Sequence, residues 1–332
     1  VESYELLKEP LTLRAVLPRF KLTHPPSLSL RRDAQIGGFS FFSMNYTKPA
    51  LTYADQLKLL SSRKLDCGDP ERALEWLQRI GYYRLSAYFI PFRDPATHDF
   101  RPYVKLDHII ELYKFDGGLR LLTLQAMDRI EVAIRAVITY ELAHALGPFG
   151  YADPTNFDPT FDHLAFIRMV NREENRSSET FVGHYRTKYT SEPYLPVWMA
   201  TELISFGSIS RVYANLRLKL RKRIARRFNQ PAPVFLSWLH ALTAIRNVCA
   251  HHSRLWNKEL AVKPELPDPW KARGIDNRRY FIIALIIQTM LLEISPQSHW
   301  KERLKKHFND YPNVDLAHMH FRPDWDKEAP WT

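Results

Sequence analysis

Apolar positions along this chain recur at steps of three and four far more often than at steps of two, which is the spacing of helices and not of strands. From Thr52 onward, Leu57, Leu60 and, past a charged turn, Leu65 keep that spacing. Asp69-Pro70-Glu71 is a helix start, with an acceptor at the cap, proline at the first helical position and an acid in the first turn. Ala73, Leu74, Leu77 and Ile80 then share one side, and Gly81 supplies the stop. Tyr82 to Tyr88 follows without a settled period, and Asp99–Val104 reads as a short strand or extended turn. Leu106 to Leu146 is the longest helical pattern, with Leu119, Leu122, Ala126, Ile130, Ala133, Val137 and Leu142 as its stripe. Gly117-Gly118 is an expected break in it, and Gly147-Pro148 its end.

Downstream, Asp158-Pro159 is expected to start a further pair of helices ending near Arg172, with a polar loop from Glu173 to Glu179. Pro196 opens another helix that should stop near Gly207. Arg211–Arg227 reads as one amphipathic helix, with Val212, Leu216, Leu220, Ile224 and Phe228 on its apolar side. Pro231-Ala232-Pro233 separates it from an apolar helix running from about Val234 to His252. After a proline-containing loop, Lys263–Trp270, the run Phe281–Leu292 is too short, and too interrupted by Gln288, for the ~20 residues of a membrane span. It reads as a buried core helix, with no membrane partner, and His299–Phe308 forms one more. The expected fold is all-α, an irregular bundle of roughly ten helices.

Residues 1–43 lack either period and are expected to lie outside the domain, as an upstream extension or a loosely ordered arm. They contain no apolar stretch before a small-residue cleavage site, so they do not read as a secretory signal. Composition adds one strong statement: a net charge of +11 suits a polyanionic partner, nucleic acid or an acidic membrane surface, against the bland alternative of solubility. Two cysteines, Cys67 and Cys249, build no disulfide framework and fit a reducing cytoplasm. Glycine-rich phosphate loops, His-Glu-x-x-His and Cys-x-x-Cys are absent, so neither cofactor nor metal is expected. His318-Met319-His320, in an aromatic-rich tail, reads as a surface accident and not a metal site.

The densest chemistry stands at the end of the Val234–His252 helix, in Arg246-Asn247-Val248-Cys249-Ala250-His251-His252. Asn247 and His251, four apart, share a face, while Arg246 sits about 140° from His251. Metal-free RNA cleavage needs a base for the 2′-hydroxyl, a stabiliser for the phosphorane charge and a proton for the leaving oxygen. Histidine suits the first or last task and the guanidinium fork the second. A structural polar cap is the competing reading. Cys249 lies about 200° from His251 and reads as a core cysteine. The segment Arg211–Arg227 holds eight basic residues and no acid, so Arg217, Lys219, Arg221, Lys222, Arg223, Arg226 and Arg227 are candidates for RNA contact, against a solvated basic face. Tyr82, Tyr83, Arg84 and Tyr88 either stack on unpaired bases or form a core cluster. His252 and Arg254, beside the motif, join the RNA-binding candidates.

Residues 246–257, Arg-Asn-Val-Cys-Ala-His-His-Ser-Arg-Leu-Trp-Asn, resemble the signature of Abi-like (AbiD/AbiF-type) abortive-infection proteins. Leu51–Leu57, Ile80–Tyr88, Tyr113–Arg120 running into Asp128–Arg135, Pro196–Met199 and Ser205–Gly207 agree in order. The resemblance implies a helical domain over residues 44–310, with a HEPN-class core at about 106–294, an additional N-terminal helical segment and an irregular tail over 311–332. It also implies a metal-independent RNase site, with Arg246 and His251 as the catalytic pair and Asn247 as the polar residue after the arginine. Bacterial phage defence and, for some relatives, a bound small structured non-coding RNA follow from it too. No second Arg-x4–6-His stands in the Asp128–Ala145 helix, Arg135 and His144 being too far apart for that spacing, so a homodimer is expected to complete the site. The alternative is a non-catalytic RNA-binding protein in a ribonucleoprotein. A protein-interaction scaffold ranks last, because it leaves the Arg211–Arg227 charge unexplained.

Overall fold

The computed structural model describes residues 46–332, and the expected extension over residues 1–43 lies outside them. The described chain is all-helical, and the helical unit runs from Leu51 to Thr332. Its α-helices are α1 (Tyr53–Ser62), α2 (Pro70–Ile80), α3 (Tyr82–Ser86), α4 (Leu106–Leu146), α5 (His163–Arg176), α6 (Thr180–Lys188) and α7 (Val197–Leu203). They continue with α8 (Phe206–Asn215), α9 (Leu218–Arg226), α10 (Ala232–Ala250), α11 (Asp268–Ala272), α12 (Tyr280–Ile294) and α13 (Trp300–Asn309). Asp99–Val104 forms no strand; Phe100 makes only an isolated bridge to Arg93.

Local signals account for several helix ends. Thr52 caps α1 by accepting from the Asp55 amide, and Asp69 caps α2 by accepting from Glu71, with Pro70 behind it. Gly81 ends α2 at φ 86°, where a side chain would be strained, and α3 starts at once.

The 41-residue α4, roughly 60 Å long, is the axis around which α7, α8, α9, α10, α12 and α13 pack. It does not break at Gly117-Gly118. A Cβ on Gly118 would collide with the His307 ring of α13, so that glycine serves a close approach and not a turn. His307 lies flat on Phe115 at 4.9 Å, and its Nε2 stands 2.9 Å from the Phe115 carbonyl. The α4 stripe also differs from expectation. Ile134 and Ile138 are fully buried while Ala133 and Val137 are only partly so, because neighbours cover α4 on several sides.

Asp158-Pro159 starts no helix. Asp158 closes a turn with Thr160, and α5 begins at the Asp162 cap, which accepts from Ala165. The expected loop from Glu173 is helical as far as Arg176, since Glu174 turns inward to pair with Arg186 of α6. Gly207 does not stop a helix; the break is at Ile204–Ser205, and Ser205 caps α8. The single helix expected over Arg211–Arg227 is two, because Leu216 is extended and bridges Phe157. The α12 expectation holds: Tyr280 to Gln288 are buried without exception. Among the described residues no helix is long and apolar enough to cross a membrane. In the tail, residues 311–332 follow short 3-10 turns and bury Met319, Phe321 and Trp331 against the bundle.

α4 and α10 run antiparallel. Asp116 meets Leu255 and Trp256, Arg120 meets Ser253, Glu131 meets Arg246, and further along α4 Glu141 meets α9.

Candidate functional site

The motif straddles the end of α10, and the way that helix ends sets the site. His251 is the cap residue; the His252 amide bonds back to the Cys249 carbonyl and the Ser253 amide to Val248, both at 3.0 Å. This is a Schellman closure, whose left-handed position usually belongs to glycine. Here His252 occupies it, at φ 55°. Arg84 holds the strained turn from outside, its Nη1 donating to the His252 carbonyl at 2.6 Å.

Beyond the turn, the chain is pulled inward by Asp116, a fully buried acid in the first half of α4. Its carboxylate accepts from the Trp256 amide at 2.6 Å, the Leu255 amide at 3.1 Å and the Tyr88 hydroxyl at 2.6 Å, and it pairs with Arg120 one turn on. Arg120 in turn reaches the Ser253 carbonyl at 3.5 Å. Burial pushes the Asp116 carboxyl up from the ordinary range, against the pull of Arg120 and the three other donors. With four donors aimed at two oxygens, the ionised form is the one this network is built around. Asp116 thus positions the whole turn after α10 and is the residue that sequence reading missed. The available signal was an acid four residues before an arginine inside an apolar helix.

The turn and α3 face each other across a pocket of about 370 Å³, lined by Tyr83, Arg84, His251, His252, Arg254 and Lys258 among others. Three cationic side chains and two imidazoles therefore share one opening. Arg254 lends Nη1 to the Ala87 carbonyl at 2.6 Å, and burial draws it below the usual guanidinium range without removing its charge. Tyr83 is 91% exposed. Tyr82 is half-buried, edge-on to Phe89 with its hydroxyl accepting from Arg63 at 3.3 Å. Tyr88 belongs to the core, the second of its two sequence readings, by its burial and its bond to Asp116.

The expected catalytic trio does not converge on this opening. His251 and Asn247 are both exposed, but only His251 lines the pocket. Arg246 turns to α4, its Nε 3.9 Å from Glu131, which also pairs with Arg135 at 3.1 Å. Cys249 is buried and its thiol is pushed up to about 12 by burial, which makes it a core residue and not a nucleophile.

The α9 charges form a separate surface, since none of them lines the pocket. The expectation that no acid compensates them is corrected. Arg223 and Arg227 both pair through Nε with Glu141 of α4, a carboxylate 82 and 86 residues upstream. Arg217 donates Nε and Nη2 to the Thr155 carbonyl at 3.0 and 2.9 Å. Arg221 is half-buried, while Lys219, Lys222 and Arg226 are exposed and make no ion pair among the described residues. Glu131 and Glu141 are ten residues apart on one helix, so this surface begins about 15 Å along α4 from Arg246.

Among the described residues no three His, Cys, Asp or Glu side chains stand as a metal-holding group. His318 lies against Trp256 and 3.7 Å from Asp315, whereas His320 approaches Asp276 at 3.4 Å.

Residues 75–257, more than half of the chain, match the family described as Abi-like protein. The chain belongs to the Abi-like family of abortive-infection proteins. It matches no curated protein and no solved structure. In this Abi-like protein the matched span holds Asp116, the α10 motif and α3, so the network that shapes the pocket lies inside the family's region.

Proposed function

We propose that this Abi-like protein acts on RNA in phage defence, in the cytoplasm, as a metal-independent endoribonuclease of the HEPN type completed by a second copy of itself. His251 takes the proton of a 2′-hydroxyl, whose oxygen attacks the adjacent phosphorus. Arg246 offsets the charge that develops on the phosphorane, and Asn247 orients phosphate or imidazole. The P–O5′ bond then breaks and the leaving oxygen receives a proton from the second copy's His251, giving a cyclic phosphate and a free 5′-hydroxyl. The observation that carries this reading is an exposed His251 at the mouth of a pocket that also holds Arg84, Arg254 and Lys258. The imidazole shares that opening with fixed positive charge. Arg246 stands away from that mouth, which is why two copies are invoked.

The test is RNA cleavage in EDTA by wild type and by His251→Ala. Wild type should cleave and the variant should not, with the same circular-dichroism spectrum. Equal cleavage by both would end the reading.

A second reading has its own support. Arg246 is engaged by Glu131 and does not converge with His251, which suits a protein that grips RNA phosphates without cutting. Under it a partner RNA, such as a small structured non-coding RNA, copurifies with the protein. Binding falls steeply with salt, and EDTA-insensitive cleavage is absent from wild type itself.

A further inference from the structure

One cluster is left over from the surfaces described so far. At the C-terminal end of α4, Tyr140 is 51% exposed, with the His144 ring 4.1 Å from its own. The Arg227 guanidinium lies 5.8 Å over the Tyr140 ring. Beneath them the Glu141 carboxylate, 1% exposed, receives Nε of both Arg227 (3.0 Å) and Arg223, whose side chains remain 55% and 48% exposed.

Sequence explains the arrangement. Arg223 on α9 and Arg227, the helical cap residue that follows it, are four apart, so both reach one side. Tyr140 and Glu141 are consecutive on α4, so one ring faces out where one carboxylate faces in. The consequence is electrostatic and entropic at once. Two guanidiniums against one carboxylate leave a net positive charge. Each fork is anchored by its Nε, so its two Nη groups are held for an anion at reduced cost in side-chain freedom. The anchored pair sits beside a half-exposed aromatic ring, the combination on which unpaired bases stack while their phosphates meet arginine.

We infer that Tyr140, Arg223 and Arg227 form a seat for one unpaired nucleotide of single-stranded RNA, the base on the Tyr140 ring and its phosphate on the two forks, with Glu141 as the positioning residue. This rests on the RNA reading above and narrows it. The RNA that lies along α4 towards Arg246 is single-stranded at this point, because a paired base cannot offer its face to Tyr140.

The experiment measures fluorescence anisotropy with two probes, an oligouridylate of about twelve nucleotides, within the usual site size, and a duplex of the same length. Tyr140→Ala is expected to weaken the single strand about five- to a hundred-fold while leaving duplex affinity and the salt slope unchanged. Tyr140→Phe, which keeps the ring, should bind like wild type. Arg223→Ala with Arg227→Ala should weaken the single strand and flatten its salt slope. Thermal melts of each variant report folding, and Tyr140 is exposed enough that its removal leaves the core intact. The seat is overturned, with the RNA reading surviving, if Tyr140→Ala binds the single strand normally while a triple Lys219, Lys222, Arg226→Ala variant loses it. It is equally overturned if Tyr140→Ala weakens duplex and single strand alike. If wild type binds neither probe at low salt, the RNA reading fails and the seat with it.

Discussion

Replacing Asp116 with alanine removes the acceptor on which the turn after α10 depends. Arg120, with 8% of its side chain exposed, would be left as a buried charge without its partner, and the Leu255 and Trp256 amides would lose theirs. Breaking a buried pair from one side costs about 3–5 kcal/mol, and each orphaned buried amide about 1–3 kcal/mol. These losses overlap, because the loop relaxes and admits water, so the expected net is about 4 kcal/mol, a large part of the ~5–15 kcal/mol that holds a domain. Asp116→Asn keeps one acceptor oxygen and should cost less, about 2–3 kcal/mol. The decisive measurement is a cycle with Arg120→Met, followed by urea unfolding in the far-ultraviolet. If the buried guanidinium is the main cost, the double variant should be more stable than Asp116→Ala plus Arg120→Met would give additively, by more than about 1 kcal/mol. The positioning role predicts a further effect: variants that still fold should lose RNA cleavage or binding through a loosened His251–Arg254 turn. An Asp116→Ala protein within about 1 kcal/mol of wild type, or a cycle without coupling, would refute the reasoning.

Further outcomes follow from the same structure. His252→Gly relieves a left-handed side chain and should stabilise the protein by about 1 kcal/mol in thermal or urea unfolding, while weakening RNA binding if the imidazole contacts phosphate. Gly118→Ala gains helix propensity but drives a methyl into the His307 ring, so the net should be a loss of about 1–2 kcal/mol, reversed when His307 is also shortened to alanine. Burial holds the His307 imidazole below its ordinary value of 6.5. The unfolded chain therefore binds the proton more readily, and stability is present above 6.5 and falls as pH drops from there towards the folded value. That acid-side slope in unfolding midpoints should shrink in His307→Gln. Cys249 should resist a thiol reagent until the protein unfolds, because burial raises its thiol to about 12.

How far the chain could be read without its fold differs between elements. The α2 boundaries, the burial of α12 and the burial of Cys249 were legible, because caps, periodicity and a missing neighbour act within about four residues. The place of His251 at a helix end was legible for the same reason. The paired glycines in α4 were misread, since Gly118 answers to a histidine 189 positions later. The Arg211–Arg227 segment was misread where a bridge from Phe157 pulls Leu216 out of the helix.

What the sequence by itself determined is therefore the all-helical class and many of the helices, the basic surface and the polar cluster at the end of α10, all properties of short stretches. The tertiary structure alone decided which charges are spent and which are free. Glu141 claims Arg223 and Arg227, Asp116 claims Arg120 and the amides of Leu255 and Trp256, and Glu131 draws Arg246 from the mouth where His251 stands. The reason is physical. A helix ends by bonds that its own neighbours make, but a buried carboxylate must find its donors wherever packing brings them, here as far as 140 residues away.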